Sequence, residues 1–358
     1  IIRNQKFALI GSLIYLSAPS LFMFSMVMKP HVYALLWANM SIFILTRSYF
    51  INKLTFNNII LLGFALGIMV GSVVTYALFA IITWLVLFSF ANGGKIKYSN
   101  LVILPIISII VYLLVNPYIV LNYEAFVLEN ISQKSWFFLG SNLKYLWLFL
   151  VNSLIPGFGI GIVALLLYII VFSIINPPMV GVRLIALSIL LIVLFISSIS
   201  ASVSDWHINS RYVLYLVPII LVWFAIYQEF SIKILYTILF FTLIQMLPLL
   251  LAHHDEDSLE YSTRLQAAEW INNNIPNDKS VCTSGRSIAP YDSPPFNFMR
   301  VNVDYEKCDY FISIDRQSDR VVDNMNEELL IRFEPRFNIK NIPLVYSHIN
   351  PQISIYKK

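Results

Sequence analysis

The sequence predicts a polytopic α-helical membrane protein carrying a C-terminal extracytoplasmic α/β domain, and three observations predict it. First, 58% of the 358 residues are hydrophobic and only 12% are charged, against about a quarter charged in an ordinary soluble domain. Second, the apolar residues fall into long runs between short polar breaks. Third, the charges are segregated: residues 253–358 hold 16 of the 20 acids and 12 of the 24 bases, which leaves that tail at −4 and residues 1–252 at +8. Two solvents are implied, lipid for 1–252 and water for 253–358. The excess bases of the first part lie in short loops, so the net positive charge does not point to nucleic acid.

A crossing needs about 20 apolar residues, fewer where the bilayer thins. Runs near 7–28, 31–46, 58–73, 74–91, 100–116, 145–174, 184–201, 211–228 and 234–252 meet that standard, giving about nine crossings. The run at 145–174 contains Pro156–Gly157 and is expected to kink or to begin as an interfacial helix. With the N-terminus cytoplasmic, the inner loops hold Arg3, Lys6, Arg47, Lys53, Lys95, Lys97, Arg183 and Lys233. The outer loops then hold Lys29, Lys134, Lys144 and Arg211. That is the direction the positive-inside rule requires. An odd number of crossings places the tail, the loop at 117–144 and the segment Asp205–Arg211 together on the outer face.

Gly63, Gly67 and Gly71 recur every four residues on one helix face, a spacing that lets two helices approach closely. Gly157, Gly159 and Gly161 lie inside an apolar run with no strand before them and no Lys-Ser/Thr after them, so they do not make a phosphate loop. The 117–144 loop alternates apolar and aromatic residues around Tyr118, Glu124 and Trp136. It reads as an amphipathic segment lying on the membrane surface. Glu124 is either a solvated interfacial acid or a group facing a cavity.

The tail reads as a small α/β domain. Ser258–Asn274 has helical periodicity, Lys279–Thr283 and Asp309–Ile314 read as strands, and Val321–Leu330 reads as a helix. Pro343–Tyr346 and Ile353–Tyr356 are expected to pair as a hairpin through Asn350–Pro351. Cys282 and Cys308 are the two cysteines. They form a disulfide if the domain faces an oxidising compartment, or stay as two buried thiols. Their spacing does not make a metal or redox motif. His253-His254-Asp255-Glu256-Asp257 reads as a charged linker rather than a metal site, since contiguous ligands rarely converge on one ion. Neither metal nor cofactor is expected.

The most polar short stretch between two membrane-length runs is Asp205-Trp206-His207-Ile208-Asn209-Ser210-Arg211-Tyr212. An acid, an imidazole and a guanidinium at a lipid boundary are costly to hold and often functional. The plainer reading is a solvated loop whose Arg211 anchors a helix end.

Several stretches taken together resemble a known family. They are Arg211-Tyr212 opening a span with Tyr215 and Pro218 after it, Asn116-Pro117-Tyr118 running on to Phe126, Ala267-Ala268-Glu269-Trp270-Ile271-Asn272 before Ile275-Pro276, and Gly63 to Gly67 in a short helix pair. In their order and spacing they resemble polytopic glycosyltransferases of the GT-C class, in the protein O-mannosyltransferase and aminoarabinose transferase branch. The resemblance implies a polyprenyl-phosphate-sugar donor held in the membrane. It implies transfer with inversion to an acceptor hydroxyl (on lipid, glycan or protein) at the outer face of what would be a bacterial inner membrane. Arg211 and Tyr212, with Lys29, would hold the donor phosphate. His207, Asp205, His31, Tyr118 and Glu124 are the helpers. The general base would be an acidic residue in a first outer loop upstream of Ile1. The chain departs from the family pattern in having no Lys in Ser72–Tyr76 and in reading Pro30-His31 where relatives have Pro-Asp.

Two rival readings stand beside the enzyme. One is a transporter or flippase of lipid-linked precursors. Such a protein would bury ionisable groups at mid-membrane, whereas here they sit at run ends. The other is a non-catalytic subunit whose outer domain binds a partner.

Overall fold

The computed structural model describes residues 5–26, 30–51, 53–94, 96–134, 147, 149–175, 213–227, 232–283, 308–315, 328–337 and 349–357. The described residues are mostly helical, with one small sheet. They divide into two units, Ile1–Leu243 and Ile244–Lys358. The expected boundary at 252/253 falls inside a continuous helix.

The first unit begins with α1 (Gln5–Leu16) and α2 (Pro19–Met26). The single crossing expected over 7–28 is thus broken at Ser17–Ala18, where Pro19 opens the second helix as proline does at a first helical position. Next come α3 (Pro30–Ile51) and α4 (Phe56–Ser72), the latter capped by the Thr55 side chain accepting from the Asn58 N–H. At Val73 the backbone is extended, and a 3-10 turn, Val74–Tyr76, leads into α5 (Ala77–Asn92). Then follow α6 (Ser99–Val115), α7 (Tyr118–Leu121) and α8 (Tyr123–Lys134).

The interrupted run at 145–174 is a π-type turn, Leu150–Leu154, then α9 (Ile155–Phe158) and α10 (Ile160–Ile175). The break sits at Gly159, whose φ of 95° is open to glycine and rarely to other residues. The last helices of this unit are α11 (Leu216–Tyr227) and the start of α12 (Ile232–Glu256). The expected crossing at 184–201 lies outside the described residues.

Two helical segments among the described residues are long and apolar enough to cross a membrane, Val74–Asn92 and Ile232–Glu256. Four shorter apolar helices accompany them: Gln5–Leu16, Phe56–Ser72, Ser99–Val115 and Ile160–Phe172. Many large apolar side chains are exposed on these helices, including Ile106, Ile109 and Leu114 on α6 and Phe240, Ile244 and Leu247 on α12.

The glycine ladder has the packing role its spacing predicts. Gly63, Gly67 and Gly71 meet Ile107, Val111 and Asn116 of the α6 end in order, so α4 and α6 run side by side in one direction. Asn116 Nδ2 donates to the Gly71 carbonyl at 3.2 Å, which closes the ladder.

The second unit begins with the C-terminal turns of α12. The helix α13 (Thr263–Asn274) is capped by Ser262 and lies against a sheet of β1 (Val281–Thr283), β2 (Tyr310–Asp315), β3 (Glu328–Phe333) and β4 (Gln352–Lys357). The strand order is β1-β2-β4-β3, with β1 parallel to β2 and the other pairs antiparallel. Alternation sorts the faces. Ile312, Ile314, Ile353 and Ile355 join Ala267, Ala268 and Ile271 of α13 in one core, while Phe311, Tyr356, Cys282 and Cys308 gather in another.

Two expectations need correcting. Residues 328–330 are strand, not the end of a helix over Val321–Leu330, because Glu328–Phe333 pairs along β4. Residues 343–346 lie outside the described residues, and β4 is paired by β2 and β3. Asn350, at φ 44°, lies two residues before β4 and ties its entry to the start of α13. Its Oδ1 accepts from the Thr263 N–H at 2.8 Å and its Nδ2 donates to the Tyr261 carbonyl at 3.1 Å.

Candidate functional site

In the first unit, three stretches remote in sequence meet at one buried cluster. Pro30 fixes the start of α3 and leaves His31 in its first turn, 8% exposed. The His31 ring lies 6.0 Å from Phe24 of α2 and 6.4 Å, edge-on, from Tyr76. Tyr76 ends the tight turn between α4 and α5, and its hydroxyl donates to the His31 carbonyl at 3.3 Å. Tyr215 precedes α11, four residues after Arg211. Its ring stands edge-on to Tyr76 at 5.1 Å and to Phe79 of α5 at 5.3 Å. Both tyrosines are fully buried. The Tyr215 hydroxyl has no hydrogen-bond partner among the described residues.

Nearby in the same unit, a cavity of about 190 Å³ is lined by α1, α3, α11 and α12. Its polar lining is Ser12, Tyr15 and Asn39, the last two joined by a 2.7 Å hydrogen bond from Asn39 Nδ2 to the tyrosine oxygen. A second cavity of about 340 Å³, between α4, α5 and α6, is almost wholly apolar and includes Gly67, Trp84 and Tyr112 in its lining.

Of the residues singled out from sequence, Lys29, Asp205, His207, Arg211 and Tyr212 lie outside the described residues. His31 sits in the cluster. Tyr118 and Glu124 are exposed on α7 and α8, where the Tyr118 ring contacts Phe126 at 6.3 Å. Tyr76 and Tyr215 were not singled out as site residues. The signal available was a hydroxyl on an aromatic residue within an apolar run, where phenylalanine would pack as well.

In the second unit, Cys282 and Cys308 form a disulfide with Cα atoms 5.7 Å apart. The segment 253–257 is not a linker: α12 continues to Glu256, and its last turn is held by ion pairs. Asp255 is fully buried against Arg336, and Glu256 pairs with Arg264. The Arg336 guanidinium also stacks 4.1 Å from the Tyr261 ring, a cation–π contact. Among the described residues, no group of three or more His, Cys, Asp or Glu side chains is placed to hold a metal ion.

Chemically, the first unit offers an apolar interior, a few buried hydroxyls and an imidazole. That set can donate and accept hydrogen bonds inside an apolar interior. No family model, curated protein or solved structure matches the chain.

Proposed function

We propose that the protein is a multi-pass membrane glycosyltransferase that moves a sugar from a polyprenyl-phosphate donor to an acceptor hydroxyl at the outer membrane face. The observation that carries this reading is the convergence of His31, Tyr76 and Tyr215. Tyr215 comes from a stretch that resembles the GT-C pattern, His31 and Tyr76 come from the two stretches where the chain departs from it, and all three are far apart in sequence. The exposed apolar side chains of α6 and α12 suit a lipid environment, with about nine crossings in all. The apolar cavity between α4, α5 and α6 suits an isoprenoid tail. The disulfide suits a C-terminal unit in an oxidising compartment, consistent with a cytoplasmic N-terminus and an extracytoplasmic tail at a bacterial inner membrane.

In this mechanism a carboxylate removes the acceptor hydroxyl proton. The acceptor oxygen then bonds to the anomeric carbon on the face opposite the phosphate. The carbon–oxygen bond to phosphate breaks, and its electron pair leaves on the phosphate. Fixed cations at a low-dielectric boundary stabilise that charge better than water does. Arg211 takes this role, since its planar fork pairs with two phosphate oxygens, with Lys29 and Tyr212 as the other donor-phosphate residues and His207, Asp205, His31, Tyr118 and Glu124 as helpers.

The test is transfer of labelled sugar from polyprenyl-phosphate donors by the full-length protein, alongside Arg211→Ala. Transfer by the wild type with a loss of about a hundredfold or more in the variant is expected. Absence of transfer from every such donor overturns the reading. Equal activity in the variant removes Arg211 from the site.

A further inference from the structure

We infer that the Tyr215 hydroxyl is a contact for a phosphate-ester oxygen bound at the start of α11, an inference that rests on the function proposed above. Three observations lead there. The side chain is fully buried and its hydroxyl has no hydrogen-bond partner among the described residues. A buried polar group left unsatisfied is costly, and native interiors rarely keep one without a use. The ring's packing does not need the oxygen, because Tyr76 and Phe79 are met edge-on by the aromatic ring itself.

The neighbouring hydroxyl is already committed, with Tyr76 donating to the His31 carbonyl. The Tyr215 proton therefore remains to be given to something that is not part of the described chain.

The position of Tyr215 selects an anion. It immediately precedes the 12-residue helix α11, and Val213 through Val217 are all at most 1% exposed. The helix thus begins in the interior, where water does not screen the positive end of its dipole. A helix N-terminus favours phosphate, and a tyrosine hydroxyl there adds a donor at low conformational cost. A phosphate ester brings an acceptor for the hydroxyl and negative charge for the helix start. An uncharged acceptor satisfies the hydroxyl alone. The free protein carries the deficit and the bound protein does not, so Tyr215 is a binding residue whose hydroxyl adds affinity rather than fold stability.

The test is Tyr215→Phe in the purified full-length protein in neutral detergent. Thermal stability is followed while polyprenyl phosphate, phosphatidylglycerol or inorganic phosphate is titrated in separate arms. The wild type should be stabilised by polyprenyl phosphate, and the variant should bind it about tenfold more weakly. The ligand-free variant should melt at the wild-type temperature or above it. Stabilisation by inorganic phosphate alone would keep the phosphate contact and make its source a free anion. Stabilisation by phosphatidylglycerol would make that source a headgroup.

Equal affinity in the variant, no binding in any arm, or a lower melting temperature for the ligand-free variant would each overturn the assignment. The last result would mean that the hydroxyl is used inside the protein, by a trapped water for example. The two proposals fail separately. Polyprenyl phosphate binding that depends on Tyr215, without sugar transfer, sinks the enzyme and keeps the site. Transfer that is unchanged in the variant does the reverse.

Discussion

The carboxylate of Asp255, fully buried in the last turn of α12, accepts hydrogen bonds from Arg336 Nη2 at 2.7 Å and Nε at 3.2 Å. Asp255, Glu256 and Asp257 stand at the C-terminal end of a helix, where the macrodipole disfavours negative charge. The two arginines, Arg336 and Arg264, offset that conflict. The last turn of a long apolar helix is therefore held by residues that the folded sheet unit supplies.

Arg336→Ala should destabilise the second unit by about 2–3 kcal/mol, since it leaves a carboxylate buried without its cation, and Arg336 is itself half exposed. Asp255→Asn should cost less, because it removes the charge along with the ion pair. Chemical denaturation of the whole protein, with hydrogen exchange followed at 253–257, checks both. Wild-type exchange in Arg336→Ala would mean that the helix end stands without the pair.

The glycine face of α4 gives the second prediction. A Cβ at Gly67 would lie 2.6 Å from Val111 Cβ and 2.7 Å from the Ser108 carbonyl oxygen, so side chain and backbone block it together. Gly67→Val should force α4 and α6 apart at a cost of about 3 kcal/mol or more. At Gly11 of α1 a Cβ meets nothing within 4 Å, and Gly11→Ala should be neutral or slightly stabilising. Thermal stability in detergent compares the two. Equal effects would mean that the α4–α6 approach is looser than its backbone spacing.

How much of this was legible in the sequence depends on the range of the interaction. The glycine ladder was legible because spacing on one helix face sets it. Strands β2 and β4 were legible because Phe311 to Ile314 and Ile353 to Tyr356 alternate across the sheet. Strand β3 was not. Among the described residues it is an edge strand, and its half-exposed Glu-Leu-Leu-Ile-Arg-Phe lacks a clean period of two. The five polar residues from His253 to Asp257 resembled a linker because the partner of Asp255 lies 81 positions away. The His31–Tyr76–Tyr215 cluster was half visible: each stretch drew notice, but only the fold brings them together.

A third prediction concerns pH. Asp309 joins the entries of β1 and β2. Its carboxylate accepts from the Ser280 N–H at 2.9 Å and the Ser280 hydroxyl at 3.0 Å, and meets Lys279 Nζ at 3.3 Å. The Ser280 backbone bond, then its hydroxyl and Lys279, hold the carboxyl below its usual value. A depressed carboxylate contributes stability above its unfolded pKa, about 4, and loses it as pH falls through the lower folded value. Asp309 in turn raises the Lys279 pKa, so that contribution is present below the unfolded lysine value and is lost only as pH rises through the raised one. Asp309→Asn should flatten the acid limb of stability against pH below about 4 and return the alkaline limb to that of an ordinary lysine. An acid limb unchanged in the variant would show that other carboxylates set it.

The fourth prediction is redox dependence confined to the second unit. The Cys282–Cys308 bond closes a loop across 26 positions and ties β1 to the entry of β2, beside Phe311 and Tyr356. A cross-link of that span removes loop-closure entropy from the unfolded chain, worth about 3.5 kcal/mol on the chain-entropy account. Reductant, or the double substitution of Cys282 and Cys308 by Ala, should lower the melting transition of residues 244–358 and leave that of residues 1–243 in place. Differential scanning calorimetry, with protection of the β2 and β4 amides followed by hydrogen exchange, separates the two. Ala suits the test better than Ser, because both sulfurs are buried with aromatic neighbours and a hydroxyl there would add an unsatisfied polar group. A shift of both transitions together would mean that the two units unfold as one cooperative body. No shift at all would mean that packing on Phe311 and Tyr356 holds β1 without the bond.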